Sequence, residues 1–464
     1  MNAIPTAAPS AADAILQQIQ SRLGPAQARD AQAFANHFLR RVSPDDLAAR
    51  PPETWAALVL GMLDFVRVRK PGVPNVRAFN PNVEQNGWES VHTVIDIVTD
   101  DMPFLVDSVG MAIAQAGLVA YTAIHPVYNV ERDAGGHVLS LVPEGSGKGR
   151  IESVMHFEVD RIAEPAERAR LEQAVRDALG DVAASVSDWK AMRDKMLQIA
   201  DEMNEKNAPI GAEGVAEAKE FLHWVAADHF TFLGYREYRV AKVDGEEVLK
   251  ADETSGLGIL RKSDHSAVPR SLKSLAARDL PQSGALDAII LTKTNARASV
   301  HRPGYMDYIG VLKFDDAGVP VVEQRFLGLF TSGAYSRRPW ETPLMRRKHD
   351  AVVARSGLRR DSHSGKDLRH ILETLPRDEL FQADEDELFA TAMGILQLQG
   401  RARSRLFLRR DKYGRFFSAL VFIPRDRFDS TVRERIESLL SAPSMASASI
   451  PPCWSANRRW RACT

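Results

Sequence analysis

Short stretches of this chain carry residue types and spacings that could do chemistry. The first is TDDMPFLVDSV, where Asp100 and Asp101 stand just ahead of Pro103, Phe104 and Leu105 at the expected start of a helix. Backbone N–H groups in the first turn of a helix lack intrahelical partners, so they can hold a carboxylate or another anion. An aspartate at that place can equally be no more than a cap, and both readings stand at this point. The second stretch, KTNARASVHRPGY, carries Lys293, Arg297, His301 and Arg302. That is enough positive charge to contact an anion, and it is also what a solvated loop looks like. The third, PEGSGKGR, sets Lys148 among glycines. It lacks the spacing and the Ser/Thr of a phosphate loop, and it joins two strands where a phosphate loop would open a helix, so a flexible connection is expected.

His223 and His229 lie six residues apart on an expected helix, a poor spacing for one metal ion, and read as packing residues. The two cysteines, Cys453 and Cys463, offer neither a zinc spacing nor a disulfide framework. No strand–Gly-x-Gly-x-x-Gly–helix unit is present to seat a dinucleotide. We therefore assign no catalytic residue and no metal ligand, and expect this chain by itself to bind no cofactor.

The elements that must position these residues are an alternation of helices and sheets. AQAFANHFLRRV and TWAALVLGMLDFVRV have apolar residues at helical spacing, with Ser43 and Pro44 as cap and first turn of a helix between them. VHTVIDIVT alternates as a strand, and the helix after it places Leu105, Val109, Ala112, Ile113 and Ala116 on one face before Gly117. YTAIHPVYNVERD, the turn DAGGH and VLSLV make a hairpin, followed by the strand IESVMHFEVDRI and the helix PAERARLEQAVRDALG. The reading is a ferredoxin-like βαββαβ unit with a closing helix. Further on, EFLHWVAADHF reads as helix and TFLGYREYRV as strand, with Gly234 inside it. YMDYIGVLKF, DDAG and VPVVEQRFLGLF read as a long hairpin. RLFLRR, DKYG and RFFSALVFIPRD form another hairpin before a helix with Ser430 at its cap.

With 464 residues, 26% of them charged and a formal net charge of −1, the chain is expected to be multidomain, with no electrostatic call for nucleic acid or an anionic membrane. No run of 18 apolar residues and no signal-type start occur, so a cytoplasmic location is the default expectation.

The turn at Asp101, Met102, Pro103, Phe104 and Leu105 resembles the first turn of the ACT domain, a small ligand-sensing module. The resemblance implies that the helix-start amides take an amino-acid carboxylate and the nearby acid its ammonium group, with Asp100, Asp101, Pro103, Phe104 and Leu105 as effector-binding candidates. DDMPFLVDSV, HFTFLGYREY, YMDYIGV, GLFTSGAY, LETLPRDELFQ and LFLRRDKYGRFFSALVFIPRDRF together resemble the N-terminal portion of the large NAD-specific glutamate dehydrogenases of bacteria, over about residues 30–440. That family oxidises L-glutamate to 2-oxoglutarate and ammonium with NAD, and carries ACT-type and PAS-like regions ahead of a distant catalytic region. The resemblance implies a homo-oligomer in the full-length family and a regulatory and assembly role for this part. The alternatives are a stand-alone amino-acid-sensing ACT protein and an oligomerisation scaffold.

The expected fold is therefore α+β and multidomain. It comprises a helical region (1–80), a ferredoxin-like ACT domain (81–190), a helical linker (191–211), a PAS-like α/β sheet domain (212–360), a helical connector (361–401) and a partial second ACT-like domain (402–440). The last 24 residues, 441–464, hold both cysteines and read like nothing before them. A shift of one reading frame would turn them into an alternating strand similar to the family's continuation, so they are expected to be out-of-frame and disordered, closing a truncated fragment.

Overall fold

The computed structural model describes residues 10–145, 148–243, 246–261, 288–398, 401–412, 416–440 and 460–463. Parts of the expected PAS-like domain and most of the tail therefore lie outside the described residues. The chain divides into two compact units, residues 1–186 with 298–303 and residues 187–297 with 304–464.

The first unit opens with α1 (Ala11–Ser21), α2 (Pro25–Leu39), α3 (Pro44–Ala48) and α4 (Pro52–Val66). Proline starts three of them, where its missing N–H costs nothing. Ser43 caps α3 by accepting from the Asp46 N–H at 3.1 Å, as the sequence suggests. Then come β1 (Asn75–Phe79), α5 (Val83–Asn86), β2 (Thr93–Asp100), α6 (Leu105–Gln115), β3 (Ala120–Ile124), β4 (Val127–Arg132), β5 (Val138–Pro143), β6 (Arg150–Val159) and α7 (Pro165–Glu202).

The sheet order is β1-β2-β6-β4-β5, with β3 also on β6, and every pairing is antiparallel. In a βαββαβ unit the strand after the second helix closes the sheet beside the first strand. Here that edge is filled from the other direction, by β1, which pairs with β2 from Asn75↔Val98 to Phe79↔Val94. The sequence reading placed these residues in the helical region, because PNVRAFNP is too short to show a period of its own. Along β2 alternate residues are buried on opposite faces. Val94 and Val98, with Tyr128, Val130 and Val154, meet Phe34, Phe38, Trp55, Val59 and Met62 of the N-terminal helices.

Helix α7 is unbroken across the expected boundary between domain and linker at 190/191. Nothing in the sequence between Gly180 and Glu202 can stop it: no proline, no further glycine and no cap.

The second unit continues with α8 (Gly211–Trp224), β7 (Phe230–Val243), β8 (Glu246–Ala251), β9 (Leu257–Gly258), β10 (Ile289–Arg297), β11 (Tyr305–Phe314) and β12 (Pro320–Phe330). The sheet order is β10-β11-β12-β7-β8, antiparallel throughout, with β9 on β7. The short helices α9 (Ser332–Ser336), α10 (Met345–Arg355), α11 (His363–Thr374), α12 (Arg377–Gln382) and α13 (Glu385–Leu396) follow. A hairpin of β13 (Arg405–Arg410) and β14 (Phe417–Pro424) leads to α14 (Ser430–Leu440). One apolar core joins Phe232, Ile309, Phe326 and Phe330 of the sheet to Leu372, Leu380 and Leu388 of the helices and to Leu420 and Phe422 of β14.

Two details differ from the sequence reading. Asp429, not Ser430, caps α14, its carboxylate accepting from the Val432 N–H at 2.7 Å. Within the segment read as disordered, β15 (Trp460–Cys463) pairs antiparallel with β14 from Val421↔Cys463 to Pro424↔Trp460. An open strand edge presents a row of backbone donors and acceptors to any extended segment that reaches it. The rest of that segment lies outside the described residues.

Candidate functional site

The turn between β2 and α6 separates the two aspartates that the sequence sets side by side. Asp100 ends β2 and accepts from Arg69 at 2.5 Å. Arg69 is 1% exposed and also donates to Glu152 at 2.8 Å, while Arg132 chelates the same Glu152 at 2.8 and 2.7 Å. Burial works against the Glu152 charge, but the two guanidiniums outweigh it and hold the carboxyl below its ordinary range. Asp100 is thus one corner of a buried ion cluster.

Asp101 is exposed and held differently. Its Oδ1 accepts from the Ser153 hydroxyl at 2.5 Å, and Ser153 in turn lies 2.8 Å from His125 Nε2. Because the single Ser153 proton points to Asp101, His125 must donate to Ser153 through Nε2. Burial is the main influence pushing the His125 imidazole down, with the Asp101 charge opposing it and Arg41 adding to it. Asp101 is pinned through Oδ1, four residues ahead of the first residue of α6.

Helix α6 begins on strained backbone. Phe104, the residue before its first turn, has φ +76°, caps nothing with its side chain, and is a bulky residue in the left-handed region. Such a residue costs on the order of 1–3 kcal/mol and persists only where its surroundings hold it. Against it lies His301, itself at φ +77°, whose ring centroid is 4.6 Å from that of Phe104. The His301 N–H donates to Ser108 Oγ on α6 at 3.2 Å, and Ser299 donates to Asp181 on α7 at 2.6 Å. Ala298 and Val300 are fully buried in the same unit. Beside this contact a cavity of about 600 Å³ runs between α6 and α7, lined among others by Ser108, Met111, Ala112, Leu171, Asp181 and Ser299.

Of the other residues singled out by sequence, Lys293 sits 21% exposed between Asp307 at 2.6 Å and Asp378 at 3.4 Å. Burial disfavours its charge, but the two carboxylates prevail and hold the ammonium well above its ordinary value. Arg297 lies over the Tyr305 ring at 5.0 Å, and the Arg302 N–H donates to the Val300 carbonyl. His301 joins the α6 turn. The four are thus given separate partners. Lys148 lies outside any helix start, between β5 and β6. His229 stacks on Trp224 at 4.2 Å and bonds its carbonyl, and His223 pairs with Asp201 at 3.3 Å. Among the described residues no cluster of His, Cys, Asp and Glu could hold a metal ion, and no helix is long and apolar enough to cross a membrane.

Sequence reasoning missed Arg69, His125, Ser108 and Ser153. A usable signal was present in IESVMHFEV, where Glu152, His156 and Glu158 recur at every second or fourth position of a strand otherwise apolar or small, and the strand is buried from Glu152 to Val159. His156 is enclosed by Asp96 at 2.7 Å and Glu158 at 3.5 Å, with Arg50 2.6 Å from Glu158 and Arg77 2.6 Å from Asp96. Complete burial would push His156 down, yet the two carboxylates raise it to about 9, and Glu158 falls to about 2 despite its own burial.

A helix-backed antiparallel sheet with a pinned acid and a strained helix start at its first turn makes this an α+β module of the ACT class. The domain family described as glutamate dehydrogenase, ACT1 domain, matches residues 34–175. Its companions, helical motif 1 and the ACT2 domain, match residues 342–401 and 405–449. The chain is 37% identical over 428 residues to an NAD-specific glutamate dehydrogenase of Halomonas elongata, covering 91% of this chain and 26% of that protein. It is 36% identical over 419 residues to the protein of that name from Pseudomonas aeruginosa, covering 89% and 26%. A third relative so named, from Mycobacterium tuberculosis, is 29% identical over 350 residues, 75% of this chain and 20% of that protein. The chain belongs to the NAD-specific glutamate dehydrogenase family and corresponds to its N-terminal, ACT-bearing portion. It spans about a quarter of the length of the first two of these relatives.

Proposed function

We propose that this chain is the regulatory and assembly region of an NAD-dependent glutamate dehydrogenase, acting in the cytoplasm within a homo-oligomer. On this reading an amino acid binds at the α6 turn. The observation that carries it is the contrast between the two aspartates. Asp100 is committed to Arg69, whereas Asp101 is exposed, oriented through Oδ1 by Ser153 and His125, and precedes the helix start by four residues. That arrangement suits an amino acid, with its ammonium on Asp101 and its carboxylate toward the amides of Leu105 and Val106. Pro103 and Phe104 fix the turn that aims those amides. The antiparallel sheet of the second unit, in which β7 joins the hairpin β11–β12 to β8, supports a PAS-like identity for that domain. Lys293 within this sheet acts as an internal cross-link to α12 through Asp378 rather than as an anion contact.

In the reaction of the family, glutamate and NAD would meet elsewhere in the protein, and these residues would alter the rate only through effector occupancy. The test is a rate assay on the purified chain with L-glutamate and NAD, which should show no NADH formation. Clear turnover by this polypeptide would refute the regulatory assignment.

A further inference from the structure

We infer that residues Ala298–Pro303 form an intramolecular plug on the start of α6, and that plug and effector exclude one another. The inference rests on the effector-site reading above and names the regulation of that site.

The docked loop is a compromise between good anchors and poor contacts. Ala298 and Val300 are fully buried, and Ser299 holds Asp181 at 2.6 Å, so the root of the loop is firm. Its tip is held at a cost. His301 and Phe104 face each other across 4.6 Å with both backbones at positive φ, a conformation uncommon for any residue but glycine and most costly for the bulky Phe104. His301 Nδ1 is also buried without a hydrogen-bond partner, and a buried polar atom left unpaired weakens the contact that buries it. Burial and Arg302 lower the imidazole, with Asp107 opposing.

One effective hydrogen bond of the tip, His301 N–H to Ser108 Oγ, lies on the first turns of α6. The cavity of about 600 Å³ bounded by Ser108 and Ser299 gives the tip room to swing while the root stays in place. A ligand carboxylate at the α6 amides would take the space of the His301 ring against Phe104. Occupancy and docking then compete, and the apparent affinity is the intrinsic one reduced by the fraction of molecules with the tip open.

His301→Gly tests this directly, because glycine keeps φ +77° without strain and deletes the ring. Hydrogen exchange should rise in 104–108 and 298–303 of the variant, while β2 and β6 exchange as before. Ser299→Ala, which loosens the root, should act in the same direction. Unchanged exchange in both segments, or a rise shared by the whole sheet, would overturn the plug. Titration of both chains with the common L-amino acids is the second arm. An amino acid that binds should bind the glycine variant roughly five- to tenfold more tightly if the open fraction is on the order of a tenth. Equal or weaker binding to the variant overturns the competition. If no amino acid binds either chain, the effector-site reading fails, and the exchange data still decide whether the loop is a plug.

Discussion

At the scale of single residues, the first unit is held by charges placed inside it. Arg69, 1% exposed, serves Asp100 and Glu152 together, so its removal leaves two carboxylates without their shared cation. Arg69→Met should lower the unfolding free energy by about 3 kcal/mol, read by urea titration. His156 gives a signed pH dependence. Its folded value, about 9, lies above its ordinary one. Its contribution is therefore full below about pH 6.5, declines between there and pH 9, and is absent above. Glu158, lowered to about 2, acts in the opposite sense: its contribution is present above about pH 4.5 and lost as the pH falls toward 2. Stability should thus fall by on the order of 2–3 kcal/mol from pH 6.5 to 9, and His156→Gln should flatten that slope in denaturation curves taken across the range. That Asp100 and Asp101 stand just ahead of a helix was legible in the sequence. Their division of labour was not, since Arg69 and Ser153 stand 31 and 52 residues away. The meeting of Phe104 with His301 was even less accessible, because no local pattern records it.

At the scale of elements, helices and hairpins with a clear period were readable, and the order of strands was not. Gly234 shows why a single residue can mark what periodicity leaves out. A Cβ there would lie 2.9 Å from Ile259 Cγ1 and 2.9 Å from Leu260 Cγ, which pack across β7 where β9 joins it. Glycine inside the strand is thus the trace of a close approach. Gly234→Val should destabilise the second unit by roughly 2–3 kcal/mol, seen as a lower denaturation midpoint with an unchanged slope. β1 escaped the sequence reading for a different reason. Five residues hold barely two repeats of a strand, and their place was fixed by an edge of β2 that only tertiary pairing reveals.

At the scale of the whole molecule, the matched domain families and relatives place the chain in the NAD-specific glutamate dehydrogenase family. The central claim is that the α6 turn binds an amino acid through Asp101. Binding to the folded state alone would add about 1.4 kcal/mol at tenfold saturation, enough to raise the melting temperature by about 3–6 °C in units of this size. The most direct measurement is a thermal melting screen of the chain against the common L-amino acids, repeated with Asp101→Ala. The account predicts a responder whose shift disappears in the variant. A flat screen, or a shift that survives in Asp101→Ala, would contradict it and leave Asp101 as a structural partner of Ser153.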